Sequence, residues 1–231
     1  MDESSFEIKQ LYDACTHGYV DIVHYLVHEC KQDPSVNQNV PIIVAADNGH
    51  LAVIEYLLQD PRVDPTCGGY NTPILYATYE GHLSVVNRLL EDPRVNKTVR
   101  KDRLLHQAAA RGHLDIVNHL LQHHDIDPSS SSNNAIRMAA VHGHLPIIQR
   151  LLLDPRVDPS EWNNYALTIA NFYHYDAIVE CLKQDERVNP LIAKERCMKR
   201  CAAIKEELMM FTWHPRRVEK LLLAGYDIED M

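Results

Sequence analysis

The 231-residue sequence lacks the features of membrane, secreted and nucleic-acid-binding proteins. It has no apolar run of the ~18 residues that a membrane-spanning helix needs, and its first residues, MDESSFEIKQ, are too polar for a signal peptide. Six cysteines are scattered without a disulfide framework. The formal net charge of −9 argues against a general binder of phosphate backbones. These absences predict a reduced protein of the cytoplasm or nucleus, with no membrane and no nucleic-acid partner.

Catalytic and cofactor motifs are missing as well. The sequence has no glycine loop that cradles phosphate, no nucleophile elbow and no HExxH metal motif. Paired carboxylates occur at helix ends, as in Asp60–Asp64 (DPRVD), but they recur along the chain, whereas a catalytic pair is expected once. We therefore expect neither enzymatic activity nor a cofactor.

One stretch of the sequence recurs several times along the chain. Gly81–Val95 reads GHLSVVNRLLEDPRV, and close or looser copies begin at other glycines. These copies define a glycine column in which a histidine takes the last place: Gly18, Gly49, Gly81, Gly112, Gly143 and His174. Successive members are 31 or 32 residues apart, which indicates a solenoid of stacked units.

Each copy predicts a pair of helices. Apolar residues at helical spacing after the glycine, such as Leu83, Val86 and Leu90, form a stripe for a buried second helix. An alanine four residues before each column position suits a short first helix packed closely against its neighbours, and the glycine supplies the positive φ that ends this helix. The Asp-Pro steps break the second helix, so we expect a hairpin-like loop between units.

The best copy resembles the ankyrin repeat. Thr72–Leu83 (TPILYATYEGHL) is similar to the TPLHxAxxxGHL text of that family. In this interpretation Thr72 caps the first helix and Pro73 takes its first position. The resemblance covers about residues 6–193. It implies an all-α ankyrin-repeat solenoid of helix-turn-helix units with short hairpin-like loops and a degenerate C-terminal helical cap.

The period divides the chain into seven units. Repeat one is expected to be an N-terminal cap, because Lys9, Gln10 and Asp13 are polar where an internal repeat is more apolar. Repeat six is degenerate, since His174 must adopt a left-handed conformation that costs a non-glycine residue about 1–2 kcal/mol. The predicted boundaries are 1–36, 37–66, 67–98, 99–129 and 130–160 for repeats one to five, 161–193 for repeat six and 194–231 for the helical cap.

Two sets of residues invite a metal interpretation. One is the histidine that follows each glycine: His50, His82, His113 and His144. Stacked helices lie about 8–10 Å apart, too far to share an ion that needs its ligands at about 2 Å, and the resemblance implies a hydrogen bond between adjacent turns instead. Cys197 and Cys201 could bind zinc with Cys181 and His214, or pack as small apolar residues, which we favour. No metal site is therefore predicted.

A binding surface is expected on the concave side of the stack, where ankyrin repeats usually contact partners. The resemblance places contacts just before each glycine and on the preceding loop, and the residues we carry over are Tyr79, Glu80, Arg100, Arg111, Val141, His142, Trp162, Phe172 and Tyr173. Aromatic residues and arginine are typical interface anchors. Phe172 and Tyr173 could instead patch repeat six against the cap. Loop asparagines are expected to hydrogen-bond within turns: Asn39, Asn71, Asn133 and Asn164.

The sequence favours a non-enzymatic scaffold that presents a concave groove to a protein partner as a monomer. The alternative is an adaptor, in which the repeats hold a cargo and the basic segment Lys194–Met210 docks a second protein, such as ubiquitin-ligase machinery. A calmodulin-binding helix is a third interpretation of that segment. If the protein is viral or a microbial effector, its expected location is the host cytoplasm.

Overall fold

The computed structural model describes residues 3–188 apart from 124 and 186. All regular secondary structure within these residues is helical, which confirms the all-α prediction. The predicted cap at 194–231 lies outside the described residues. The helices are α1 Glu3–His17, α2 Val20–His28, α3 Val36–Asp47, α4 Leu51–Leu57, α5 Thr72–Glu80, α6 Leu83–Glu91, α7 Pro93–Thr98, α8 Lys101–Arg111, α9 Leu114–Leu120, α10 Ser130–Val141, α11 Leu145–Leu152, α12 Glu161–Phe172 and α13 Asp176–Lys183.

The helices form two layers. First helices pack on one another in chain order, as α1, α3, α5, α8, α10 and α12. Second helices form the other layer, as α2, α4, α6, α9, α11 and α13. A continuous apolar core runs through the stack, as expected for units that bury their faces against their neighbours. None of the described helices is long and apolar enough to cross a membrane.

At four of the five junctions between the described helix pairs, a glycine of one pair meets a histidine of the next. Gly81 follows α5 with a φ of 87°, a conformation that other residues avoid. The ring of His113, from the following pair, lies so close that a Cβ on Gly81 would be 2.5 Å from His113 Cε1. His113 Nε2 also donates to the carbonyl of Tyr79 at 2.8 Å. This contact and bond recur, which confirms the predicted structural role, at His50, His82 and His144.

The chain enters several first helices through a left-handed turn. Residues 37–39 have φ values from 51° to 66°. The φ values of residues 131–133 and 162–164 lie in the same range. Each of these turns thus contains three consecutive left-handed residues. The last of the three is always an asparagine, a residue that tolerates this region better than most.

Two of these asparagines tie one loop to the next. Asn39 Oδ1 accepts the backbone N–H of Asp64 at 2.8 Å. Asn133 Oδ1 accepts that of Asp158 at 2.7 Å. The predicted bonds within turns are wrong for these two residues, because each bond spans 25 residues and so joins adjacent repeats.

Thr72 does not cap α5, contrary to the sequence prediction. The helix begins at Thr72 itself, after a left-handed Asn71 with a φ of 56°, and no side chain caps it. Asn71 Oδ1 instead accepts the hydroxyl of Thr98 at 3.0 Å. The asparagine that ends the turn occupies the capping position and its side chain bonds to the following loop.

Removing an asparagine bridge should destabilise the stack. We expect Asn133→Ala to lower the free energy of unfolding by about 2 kcal/mol, because Asp158 N–H loses its acceptor and alanine tolerates a positive φ less well. Ser131→Ala is the control, since Ser131 is left-handed and exposed but is not part of this bridge. Urea unfolding followed by circular dichroism measures both. Equal losses in the two variants would contradict the bridging role.

The repeated Asp-Pro-Arg loops also connect neighbouring repeats. Arg94 Nε and Nη2 donate to the two carboxylate oxygens of Asp92 at 3.0 and 2.7 Å. Arg94 Nη1 reaches back to the carbonyl of Val63 at 3.0 Å. The same backward bond is made by Arg156 of another Asp-Pro-Arg loop and by Arg187 of the Asp-Glu-Arg sequence in repeat six. The recurring carboxylates thus have a structural role, as the sequence indicated.

Candidate protein-binding surface

One side of the stack is formed by the exposed side chains of the first helices and of the turns that enter them. We call this surface the first-helix face. The nine residues predicted to contact a partner lie on these helices or directly beside them: Tyr79 and Glu80 on α5, Arg100 and Arg111 at α8, Val141 and His142 at α10, and Trp162, Phe172 and Tyr173 at α12.

Tyr79 and Arg111 form the centre of this face. Both are exposed, and Arg111 Cζ lies 3.8 Å from the centroid of the Tyr79 ring, within the range of a cation–π contact. Glu80 is exposed beside them. Tyr76 lies one turn earlier on α5 and is exposed on the same side. The sequence identified Tyr79 and Arg111 separately; it missed Tyr76, although its spacing of three residues from Tyr79 was a usable signal.

Arg100 lies at the entrance to α8. Its Nη2 donates to Asp102 Oδ2 at 2.8 Å, and this bond raises the pKa of Arg100. Arg103 is exposed on the next turn of the same helix. The middle of the first-helix face therefore combines arginines with tyrosines, although the chain as a whole is acidic.

Trp162 is half-buried and covers a buried cation. Its ring centroid lies 3.8 Å from Arg137 Cζ, and Tyr165 meets the indole edge to face. Arg137 is buried, and burial lowers the pKa of its guanidinium. Arg137 Nη2 donates to the carbonyl of Ser131 at 3.1 Å. Sequence reasoning missed Arg137, because nothing local reveals that a tryptophan 25 residues later covers it.

Phe172 and Tyr173 are half-buried and pack against the core. Their rings meet edge to face at 5.1 Å, and Tyr173 lies 5.8 Å from Tyr175. Tyr175 occupies the position that histidine holds in earlier repeats, with its ring against Gly143. These aromatics therefore help to fill the junction between repeats five and six. Val141 is likewise half-buried.

His142 lies beside the structural histidine of repeat five. Its ring stacks on that of His144 at 6.2 Å between centroids. It is half-buried, so only part of the ring is open to a partner.

The described residues contain no group of three or more histidine, cysteine or acidic side chains that could hold a metal. Cys181 lies within the described residues as a free thiol. The other members of the zinc hypothesis, Cys197, Cys201 and His214, lie outside them.

Comparison with known proteins agrees with this geometry. The profile of a family described as ankyrin repeats, in three copies, matches residues 11–101 and 105–192. The human ASB11 ankyrin repeat domain superposes with a TM-score of 0.64 at 18% identity, over 76% of this chain and 83% of that one. Alpha-latrotoxin-Lh1a of Latrodectus hasselti is 39% identical over 62 residues, which is 25% of this chain and 4% of the toxin. The chain thus spans a small part of that relative.

The fold defines a class of protein: a solenoid of stacked helix pairs. Within that class, the chain belongs to the ankyrin-repeat family. Membership indicates a protein–protein interaction scaffold.

Proposed function

We propose that this protein is a non-enzymatic scaffold that presents its first-helix face, the concave side of the stack, to a protein partner. The contact between Tyr79 and Arg111 supports this proposal most strongly, because aromatic residues and arginine dominate the binding energy of protein interfaces. The bonds between repeats hold the face rigid, so little conformational entropy is lost on binding.

The remaining features of the proposal follow from composition. The net charge of −9 favours a protein partner over nucleic acid. We propose that the chain acts as a monomer, without a cofactor, in the cytoplasm or nucleus, or in the host cytoplasm if it is viral or a microbial effector.

Loss of the contact between Tyr79 and Arg111 should weaken binding of the partner and leave the fold intact. We expect Tyr79→Ala and Arg111→Ala each to reduce partner recovery about tenfold in a quantitative pull-down with the intact chain, since interface anchors are worth about 1–2 kcal/mol or more. Gln149→Ala, an exposed change on α11, is the control and should retain the partner. Recovery that is equal in all three variants would contradict the proposal.

For Trp162, stability and partner binding must be measured separately. We expect Trp162→Ala to weaken partner binding and also to lower the free energy of unfolding by about 1–2 kcal/mol, because it uncovers the buried guanidinium of Arg137. Trp162→Phe keeps a ring over Arg137 and should restore most of the stability. Thermal unfolding and pull-down on both variants separate the two effects. If Trp162→Ala loses stability but keeps the partner, Trp162 is a packing residue only.

The adaptor remains the alternative function. It is favoured by a cluster of basic residues that contrasts with the acidic repeats: Lys194, Arg196, Lys199, Arg200 and Lys205. Deleting residues 191–231 tests it. A soluble stack that keeps one partner and loses another, such as ubiquitin-ligase machinery, supports an adaptor, whereas aggregation supports a capping role.

A further inference from the structure

Two histidines at the end of α9 bring their ring nitrogens together on the second-helix layer. His119 lies on α9, and His123 lies in the turn that follows this helix. Their Nε2 atoms are 3.4 Å apart, whereas the centroids of the two rings are 5.1 Å apart. The rings therefore point their Nε2 atoms toward each other. Both side chains are half-buried, so solvent reaches the pair.

The backbone of the turn fixes the distance between these two histidines. The N–H of Gln122 donates to the carbonyl of His119 at 3.1 Å. The N–H of His123 donates to the carbonyl of Leu120 at the same distance. The helical path thus continues beyond the end of α9, and residues four apart on such a path lie on one face. The main chain holds the two rings beside each other.

The geometry of the two rings suits a tetrahedral metal ion. Zinc binds imidazole nitrogen at about 2.0–2.1 Å, so two ligands of a tetrahedral zinc ion lie about 3.3–3.4 Å apart. The observed separation of the Nε2 atoms matches this distance. An imidazole holds an ion close to its own ring plane, so two rings can share an ion only if their planes cross. The planes of His119 and His123 are inclined at 73° and do cross.

A second histidine pair has the same spacing in sequence but a different geometry. His24 and His28 lie on α2, and their rings stack with centroids 5.3 Å apart and an angle of 9° between planes. Nearly parallel planes do not cross close to the rings, so this pair must turn a ring before it can share an ion. His28 Nδ1 is also bonded to Glu29 Oε1 at 3.0 Å. This pair therefore provides a control within the same chain.

Repeat four differs from the other repeats at the position of His123. The other five repeats have an acidic residue in this column, and all but the first of these bind the arginine two places later: Glu29, Asp60, Asp92, Asp154 and Asp185. Repeat four has Asp125 in place of that arginine, and Asp125 pairs with Lys101. The bond between a loop carboxylate and its arginine is thus replaced in repeat four by the contact of His123 with His119.

We propose that His119 and His123 bind one divalent transition-metal ion of tetrahedral preference, such as zinc, with water in the remaining coordination positions. Imidazole nitrogen is a preferred ligand of such ions. Both rings then carry their proton on Nδ1, and the ion takes the place of the hydrogen between the two Nε2 atoms. Two protein ligands leave coordination positions open, unlike the four of a structural zinc site. Since α9 belongs to the second-helix layer, this site is separate from the first-helix face.

Zinc titration of the intact chain tests the proposal at a pH of about 7.5, where imidazole with an ordinary pKa of about 6.5 is largely neutral. We expect calorimetry to detect one ion per chain that His119→Gln/His123→Gln does not bind. Each single variant should weaken this binding by about tenfold or more, because one imidazole cannot chelate. His24→Gln/His28→Gln is the matched control and should bind as the unaltered chain does. All variants retain the six cysteines, so their comparison removes any uptake by thiols.

Histidine ring signals in NMR spectra locate the ion. Zinc should shift the signals of two histidines in the unaltered chain, and these should be the two signals that His119→Gln/His123→Gln lacks. A shift confined to other histidines would overturn the proposal.

His119→Arg decides the question if a glutamine variant fails to fold. Arginine occupies this column in the repeats on both sides, as Arg88 and Arg150, so we expect this variant to fold and its circular dichroism to be unchanged. Its charge should exclude the ion. Equal zinc uptake by the unaltered chain and His119→Arg would overturn the proposal and place the ion elsewhere. An unaltered chain that takes up no zinc would also overturn it, and the contact between the Nε2 atoms would then be a hydrogen bond only.

Discussion

Gly81→Ala is expected to lower the free energy of unfolding by about 3–4 kcal/mol, one of the largest effects of any single substitution in this chain. A left-handed conformation costs alanine about 1–2 kcal/mol. The new Cβ would also meet the His113 ring at 2.5 Å, displacing it from Gly81 and from its bond to the Tyr79 carbonyl. Urea unfolding measures the loss. Glu80→Ala, an exposed neighbouring change, should cost less than about 0.5 kcal/mol.

A double variant separates the two causes. In Gly81→Ala/His113→Ala the ring is gone, so only the backbone strain and the lost ring contacts remain. We expect the double variant to lose at least about 1 kcal/mol less than the sum of the single variants. Simple additivity would show that the ring and the glycine do not interact and would contradict the proposed junction.

Stability should fall as the pH drops from about 6.5 to 4, and His106 should cause much of this fall. Burial lowers the pKa of His106 to about 4. The Nε2 atom of His106 lies 3.0 Å from Ser130 Oγ. The unfolded chain, with a histidine pKa of about 6.5, takes up the proton first, so the stabilisation is complete above pH 6.5 and is lost as the pH approaches 4. The difference corresponds to about 3 kcal/mol. Urea unfolding at pH 7, 5.5 and 4.5 measures it.

His106→Gln provides the control, because it keeps a polar side chain that does not titrate. Its stability should change much less over the same pH range. The aspartates of the Asp-Pro-Arg loops act in a lower range: hydrogen bonds from Arg94 lower the pKa of Asp92, so its contribution is lost only below the unfolded pKa of about 3.9. An equal fall in both proteins between pH 6.5 and 4.5 would exclude His106 as the cause.

The sequence was sufficient for the features that repeat. Glycine and histidine return every 31 or 32 residues, so the turn and the ring that packs on it could be assigned without coordinates. The same periodicity predicted that Asn39 and Asn133 form hydrogen bonds, but it placed those bonds within a turn and not between repeats. Tyr79 and Arg111 were predicted to lie at the surface from their positions before the repeated glycine. Their contact with each other could not be predicted, because it depends on the distance between two helices.

Other features depend on contacts that local sequence does not encode. Gln38 and Trp162 adopt a positive φ that such residues rarely take, so the left-handed turn could not be read from residue types. The burial of Arg137 depends on the indole of Trp162. For repeat one, the polar residues of α1 indicated a cap, whereas the exposure of Ile22 appears only when the columns are compared in three dimensions.

Photo-crosslinking most directly tests the claim that a protein partner binds the first-helix face. Benzoylphenylalanine replaces Tyr79 in one version of the intact chain and Gln149, exposed on the second-helix layer, in another. After illumination in a lysate of the source cells, position 79 should give a discrete crosslinked protein that is absent at position 149. A discrete product at position 149 with none at position 79 would contradict the claim.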